Sequence, residues 1–221
     1  MTGTRLVWSK VPRTSDVRGN FNPAIKACYN SFGEIFLNLL KIPTQIQGSL
    51  IMLISKELEE AINAQIGREF GASLQYTSIA AYFDADNLPN LAAFFYRQAG
   101  EEHMHAMKFL HYVVEAGGQA RIPAIPATRH EFANALECAQ LALDWETEVT
   151  RQINALMDLA ISQKDHIAQD FLRWFVTEQL EEISTMQQLI SIVQRGKDNL
   201  LFVDDYLARN PIVPSEGAAG A

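Results

Sequence analysis

The chain has 221 residues, of which 48% are hydrophobic and 20% charged, and a formal net charge of −8. That content suffices for a folded core and excludes a disordered chain, while the acidic balance excludes a nucleic-acid partner, because phosphate binding needs a basic surface. The only two cysteines, Cys28 and Cys138, form no Cys-x-x-Cys pair, which excludes a thiolate metal site and points to a reducing, cytoplasmic setting.

The charge is unevenly spread. Residues 1–51 carry six Lys or Arg (Arg5, Lys10, Arg13, Arg18, Lys26, Lys41) against two acids (Asp16, Glu34), a net of +4 that leaves −12 for residues 52–221. A boundary near Met52 follows. Trp8, Pro12, Gly19, Pro23 and Pro43 interrupt the N-terminal segment. Its apolar run, Phe32 to Leu40, is shorter than the ~20 residues a membrane span requires, so no membrane is expected as a partner. The run also begins too late for a signal peptide, and no small-residue cleavage site follows it cleanly. We expect Met52 to be the native start, with residues 1–51 an extension that is foreign to the native protein or poorly ordered.

From Met52 onward the pattern is helical. The first helix is expected from Ser55, its N-cap, to Phe83, with Leu58, Ile62, Tyr76, Ala80 and Phe83 on one stripe. The turn Asp84-Ala85-Asp86-Asn87 leads to Pro89, a residue suited to a first helical turn. The second helix runs on to Ala116 and stops at Gly117-Gly118. Gln119 to Arg129, with Pro123 and Pro126, cannot be helix. A third helix is expected over Glu131–Ser162, a fourth over Asp165–Arg195 and a short fifth over Leu200–Arg209. The tail, residues 210–221, is rich in Pro, Gly and Ala and reads as flexible.

Loop lengths then set the topology. Helices one and two, and helices three and four, are joined by so few residues that each pair must be an antiparallel hairpin. The fourteen residues from Gly117 to His130 reach about 46 Å when extended, against about 42 Å for a helix of ~28 residues. The linker can run the full length of the molecule. An all-α four-helix bundle over residues 52–209 follows, with a long crossover between helices two and three and a short fifth helix.

Within that bundle each seam is apolar except for an acid at its middle. Helix two offers Leu91, Phe95, Gln98, Glu102, His105, Phe109 and Tyr112, and helix one Ile62, Gln65, Glu69, Ser73, Tyr76 and Ala80. Helix three offers Ala139, Ala142, Glu146, Val149, Ile153, Leu156 and Ala160, and helix four Leu172, Phe175, Gln179, Glu182, Met186 and Leu189. Glu102 and His105, three apart, share one helix face and pair an oxygen with a nitrogen ligand suited to iron, manganese or zinc. Four buried carboxylates at one level need cations between them. One ion leaves most of that charge uncompensated, and two bridged by carboxylate fit better.

Residues 52–209 resemble a bacterial non-haem ferritin along their whole length. The resemblance is carried in order by R-E-F-G-A-S-L-Q-Y (68–76), E-E-H-M-H (101–105), W-E-T-E-V-T (145–150) and F-L-R-W-F-V-T-E-Q-L-E-E (171–182). It implies that Glu69, Glu102 and His105 hold one iron, and that Glu146 and Glu182 join Glu102 around a second with Gln179 beside them. It implies a third iron at Glu101, Glu178 and Glu181, with Glu182 shared, and matches Tyr76 to a tyrosine that supplies an electron. It further implies Fe(II) oxidation by O2 or hydrogen peroxide, deposition of Fe(III) as mineral, and a hollow homo-oligomer of twenty-four subunits with the fifth helix around a four-fold axis.

Departures from related families narrow the choice. Haem-containing bacterioferritins carry Met directly after the helix-two Glu, where this chain has His103, with Met104 one place later. They also carry a second Glu-x-x-His on helix four, where this chain has Gln179-x-x-Glu182, so no haem is expected. The Cys-x-x-Cys of rubrerythrins is absent. Glu101, Glu178 and Glu181 also suit a solvated face, and Tyr76 also suits a core aromatic with a bonded hydroxyl. Trp145 and Trp174 read as packing residues beside the centre, and His103, His111, His130 and His166 as surface or linker histidines. Asp165 and Asp170 read as helix N-terminal charges. Two rival functions are a di-metal oxidase of an organic substrate and a shell protein with little turnover.

Overall fold

A computed structural model of the chain describes residues 52–212. The expected extension at 1–51 and the tail beyond Ile212 lie outside the described residues. Five helices and no strand occur among the described residues: α1 (Lys56–Ala85), α2 (Pro89–Glu115), α3 (Ala135–Ser162), α4 (His166–Gly196) and α5 (Leu200–Arg209). None of them is long and apolar enough to cross a membrane.

Most helices start where a short polar side chain stops the amides at the N-terminus from going unpaired. Ser55 Oγ accepts from Leu58 N at 3.1 Å, Asp165 from Ala168 N at 2.9 Å and Asn199 from Phe202 N at 3.1 Å. Asp165 is thus a helix cap, as its position suggested. Helix α3 begins four residues later than the expected Glu131. Asn134 is its cap, accepting from Glu137 N at 2.9 Å. The Glu137 carboxylate also accepts from Ala133 N at 2.5 Å and pairs with Arg129. These bonds hold residues 131–134 outside the helix despite their helical composition.

Helix α2 lacks a cap of its own, because Leu88 precedes it. Asp204 of α5 takes that role: Oδ1 accepts from Asn90 N at 2.8 Å and Leu91 N at 2.9 Å, and Oδ2 from Asn90 Nδ2 at 2.7 Å. The short fifth helix is thereby fastened to the bundle by charge on a helix N-terminus as well as by Val203 and Leu207. Residues 210–212, expected to begin the flexible tail, are also fastened. Ile212 is buried and its carbonyl accepts from Arg97 Nη2 at 3.2 Å.

The connections α1–α2 and α3–α4 span only Asp86–Leu88 and Gln163–Asp165, so both pairs are antiparallel hairpins. The long crossover runs over α1, where two side-chain amides grip its backbone. Asn63 Nδ2 donates to Gln119 O at 2.9 Å while its Oδ1 accepts from Arg121 N at 2.7 Å. Twelve residues on, Gln75 Nε2 donates to Arg129 O at 2.9 Å and its Oε1 accepts from Arg129 N at 2.8 Å. Between the clamps Gly67 lets Pro123 lie against α1, since a Cβ there would stand 2.3 Å from Pro123 Cγ.

The core divides in two. One cluster holds Tyr76, Phe83, Phe95, Ala142, Met186 and Leu189, and the other Ile62, Ile66, Phe109, Ile153, Leu172 and Phe175. Glu69, Glu102, Glu146 and Glu182 lie in sequence between members of the two clusters on α1, α2, α3 and α4.

Asp204→Ala leaves the Asn90 and Leu91 amides without their acceptor. Chemical denaturation is expected to show a loss of about 1–3 kcal/mol, and hydrogen exchange at those two amides should quicken. Gly67→Ala is expected to lower the melting temperature by forcing the crossover off α1, with Pro123 the first residue to move by crystallography.

Candidate metal centre

The seams bring the predicted acids to one level. Glu69, Glu102, His105, Glu146 and Glu182 are all buried, Glu146 completely. Ligand atoms of Glu69, Glu102 and His105 lie within 4.8 Å of one another, and so do those of His105, Glu178 and Glu182. His105 joins the two groups: Nδ1 lies 3.4 Å from Glu102 Oε2 and Nε2 lies 3.8 Å from Glu178 Oε1. The sequence put Glu178 with Glu101, Glu181 and a shared Glu182, and its approach to His105 depends on how α2 and α4 face each other. Glu101, Glu178 and Glu181 are part-buried rather than solvated, and with Gln98 and Glu182 they line a cavity of about 20 Å³.

Hydrogen bonds from amides and a phenol orient these carboxylates. Gln65 Nε2 donates to Glu69 Oε1 at 2.8 Å, and Gln65 Oε1 in turn accepts from Arg68 Nη1 at 3.0 Å. The Tyr76 hydroxyl donates to Glu146 Oε1. Gln179 Nε2 lies 3.4 Å from Glu146 Oε2, while Thr150 Oγ1 donates to Gln179 Oε1 at 2.7 Å. The Gln179 carbonyl is therefore occupied, and the amide presents its donor to Glu146. Gln65 and Gln98 were read only as polar places in apolar seams, and Thr150 drew no attention. A glutamine one turn before each of Glu69 and Glu102 is the signal that would have found the first two.

Aromatic rings close the layer. Trp174 meets His105 edge-on with ring centroids 5.4 Å apart, and Phe175 does so at 5.9 Å. Lys108 Nζ sits 3.7 Å from the Trp174 ring centroid. His103, His111, His130 and His166 are exposed, as the sequence suggested.

The electrostatics are those of acids that lack a counter-charge. Burial, then the charges of Glu146 and Glu69, holds Glu102 far above the usual carboxylate range. Glu182 is raised in the same way by burial and by Glu146 and Glu102. Burial lifts Glu146 to about 7, even though the Tyr76 hydrogen bond pulls it down. Burial also raises Tyr76, helped by the Glu146 charge, so its hydroxyl keeps its proton. For His105 burial opposes the charged form, but Glu178, Glu69 and Glu182 outweigh it and the imidazole is raised.

Among the described residues no lysine or arginine forms an ion pair with Glu69, Glu102, Glu146 or Glu182. Glu69 Oε2, Glu102 Oε1 and Glu178 Oε2 are buried with no hydrogen-bond partner. A buried acceptor left unpaired costs about 1–3 kcal/mol, more when charged. An oxygen-rich donor set with one imidazole and several unused lone pairs fits hard and borderline divalent ions.

Comparison with known proteins agrees with this chemistry. A family model described as "Ferritin-like domain" matches residues 59–195. Ferritin BfrB of Mycolicibacterium smegmatis is 40% identical over 148 residues, which is 67% of this chain and 82% of that protein. The bacterial non-heme ferritin of Staphylococcus aureus is 36% identical over 147 residues, 66% of this chain and 89% of that protein. Among solved structures, an open-pore ferritin from Archaeoglobus fulgidus superposes with a TM-score of 0.69 at 32% identity, covering 71% of this chain and 98% of that one. Fold, matched family and relatives agree, and the chain belongs to the ferritin family.

Proposed function

We propose that this protein stores iron by oxidising it: Fe(II) enters the buried carboxylate layer, gives up an electron, and passes as Fe(III) into a mineral held within a shell of twenty-four subunits. The observation that carries this reading is the set of converging buried acids with lone pairs that nothing else uses. Glu69 and His105 hold one iron, Glu146 and Glu182 the second, and Glu102 bridges the two. Glu101, Glu178 and Glu181, sharing Glu182, take a third. Gln179 supports Glu146 through its amide donor rather than by ligation, because Thr150 engages its carbonyl.

In the balanced step two Fe(II) each lose one electron, and O2 gains both together with two protons to leave as hydrogen peroxide. Hydrogen peroxide serves as the alternative oxidant. Carboxylates suit this work because they bind Fe(III) more firmly than Fe(II) and leave positions open for the oxidant. Tyr76 lends an electron when the metal supply falls short, a role its hydrogen bond to Glu146 supports. The cavity lined by Glu101, Glu178, Glu181 and Glu182, about 20 Å³, has room for one water or one ion.

Fe(II) added in air to the metal-free protein, followed by size-exclusion chromatography with iron analysis, tests the proposal. Many more than three irons per subunit should co-elute with a large shell. Two irons per subunit on a small species would favour the oxidase instead. Glu102→Ala removes the bridge and should slow oxidation by more than the ~10–100-fold typical of losing an outer partner. Tyr76→Phe should bind iron as the wild type does while a tyrosyl radical signal is lost.

Ion binding must also displace protons. In the metal-free protein Glu146 titrates at about 7, and Glu102 and Glu182 are also raised, so the folded state binds more protons than the unfolded one. The stability this confers is complete below the ordinary carboxylate range and is lost as pH rises through about 7. The melting temperature of metal-free protein is expected to fall between pH 5 and 8, and added Zn(II) to restore it, with more protons released per ion at pH 6 than at pH 8.

A further inference from the structure

Three glutamines are buried around the carboxylate layer, and one differs from the others. Gln65 donates to Glu69 and its carbonyl accepts from Arg68. Gln179 donates to Glu146 and its carbonyl accepts from Thr150. Gln98, only 4% exposed, donates from Nε2 to Glu101 and, at 3.3 Å, to Glu182 Oε2. Its carbonyl oxygen is buried and has no partner. Gln98 also lines the cavity of about 20 Å³ where Glu101, Glu178, Glu181 and Glu182 meet beside Arg97, a volume that admits a single ion. Glu178 Oε2 is a second buried oxygen there without a partner.

The Gln98 NH2 group lies between two carboxylates that a bridging cation would otherwise join, and its partial positive charge stands in for that cation. The terminal torsion of a glutamine is broad and roughly two-fold, so a half-turn exchanges NH2 for carbonyl. In Gln65 and Gln179 that turn breaks the bond the carbonyl already accepts. In Gln98 the carbonyl has no bond to lose, and only the two that the NH2 donates to Glu101 and Glu182 are given up. We propose that Gln98 is a switchable ligand: its NH2 holds Glu101 and Glu182 together while the cavity is empty, and its carbonyl turns in to coordinate a divalent ion when one arrives. A neutral oxygen raises the coordination number without adding negative charge, which suits an ion that is held and then passed on. The inference rests on the reading of Glu101, Glu178, Glu181 and Glu182 as cation ligands.

The test uses Zn(II), which has no redox chemistry, titrated calorimetrically into the metal-free full chain beside Gln98→Leu and Gln98→Glu, together with a crystal structure of the zinc-loaded wild type. Wild type should bind three ions per subunit. Gln98→Leu should weaken the third by about tenfold, and more than it weakens the second, whose ligand Glu182 it also holds. Gln98→Glu, which keeps an oxygen and loses the NH2, should bind the third at least as tightly as wild type. The crystal should place Gln98 Oε1 about 2.0–2.2 Å from zinc. A Gln98→Leu protein with an unaltered third site, or a zinc-loaded crystal with the amide nitrogen still on Glu101 and Glu182, would overturn the proposal. The wild-type crystal decides it even where a variant fails to fold. Wild type that binds two ions and no third overturns the role of Gln98 together with the third site and leaves the two-ion centre standing, whereas wild type that binds none overturns the metal-centre reading as well.

Discussion

Buried carboxylate charge is the constraint on which the rest of this molecule depends. Glu69, Glu102, Glu146 and Glu182 are almost wholly removed from water, and no basic side chain among the described residues pairs with them. Unpaired ionised acids in an apolar interior are far too costly to survive without a counter-charge. The metal-free fold meets part of that cost by raising the Glu102, Glu146 and Glu182 carboxyl groups so that they keep protons. The two apolar clusters on either side supply the stability that tolerates the remainder. The centre is thus kept ready for cations at the expense of the apoprotein.

Glutamine is the residue that makes such a layer orderly. Gln65, Gln98 and Gln179 each give an NH2 to a carboxylate oxygen, which fixes the carboxylate without adding charge. A lysine or arginine in any of these places would neutralise an acid and compete directly with a metal ion. Arg68 acts through Gln65 and stays one hydrogen bond away from Glu69.

Much of this was legible in the sequence because a buried helical seam repeats every 3.6 residues. The seams through Glu102, Glu146 and Glu182 came out as written, every member buried, while Ser73 on the Glu69 seam is only part-buried. What stayed hidden depends on orientation or on partners far away in sequence. Asp204 caps α2 only because α5 folds back onto that helix's N-terminus, a contact between residues more than a hundred positions apart. The start of α3 was misplaced because composition favours helix from Glu131, whereas the outcome turns on one cap and one Arg129–Glu137 pair. Which end of an amide faces a carboxylate is not written in any spacing.

The two amide clamps on the crossover have a consequence for how this chain tolerates insertions and deletions. Asn63 and Gln75 stand twelve residues apart on α1 and pin the linker at Arg121 and Arg129. The helix spaces the clamps by about 18 Å, and the eight peptide units between the pinned residues reach about 26 Å when extended. The strap therefore has slack worth about two residues. Shortening beyond that must pull a clamp open and expose a buried amide, while lengthening costs only the slow logarithmic entropy of a longer loop. Variation in this segment is biased toward growth, and the surface over α1 is where the molecule has freedom to acquire new length.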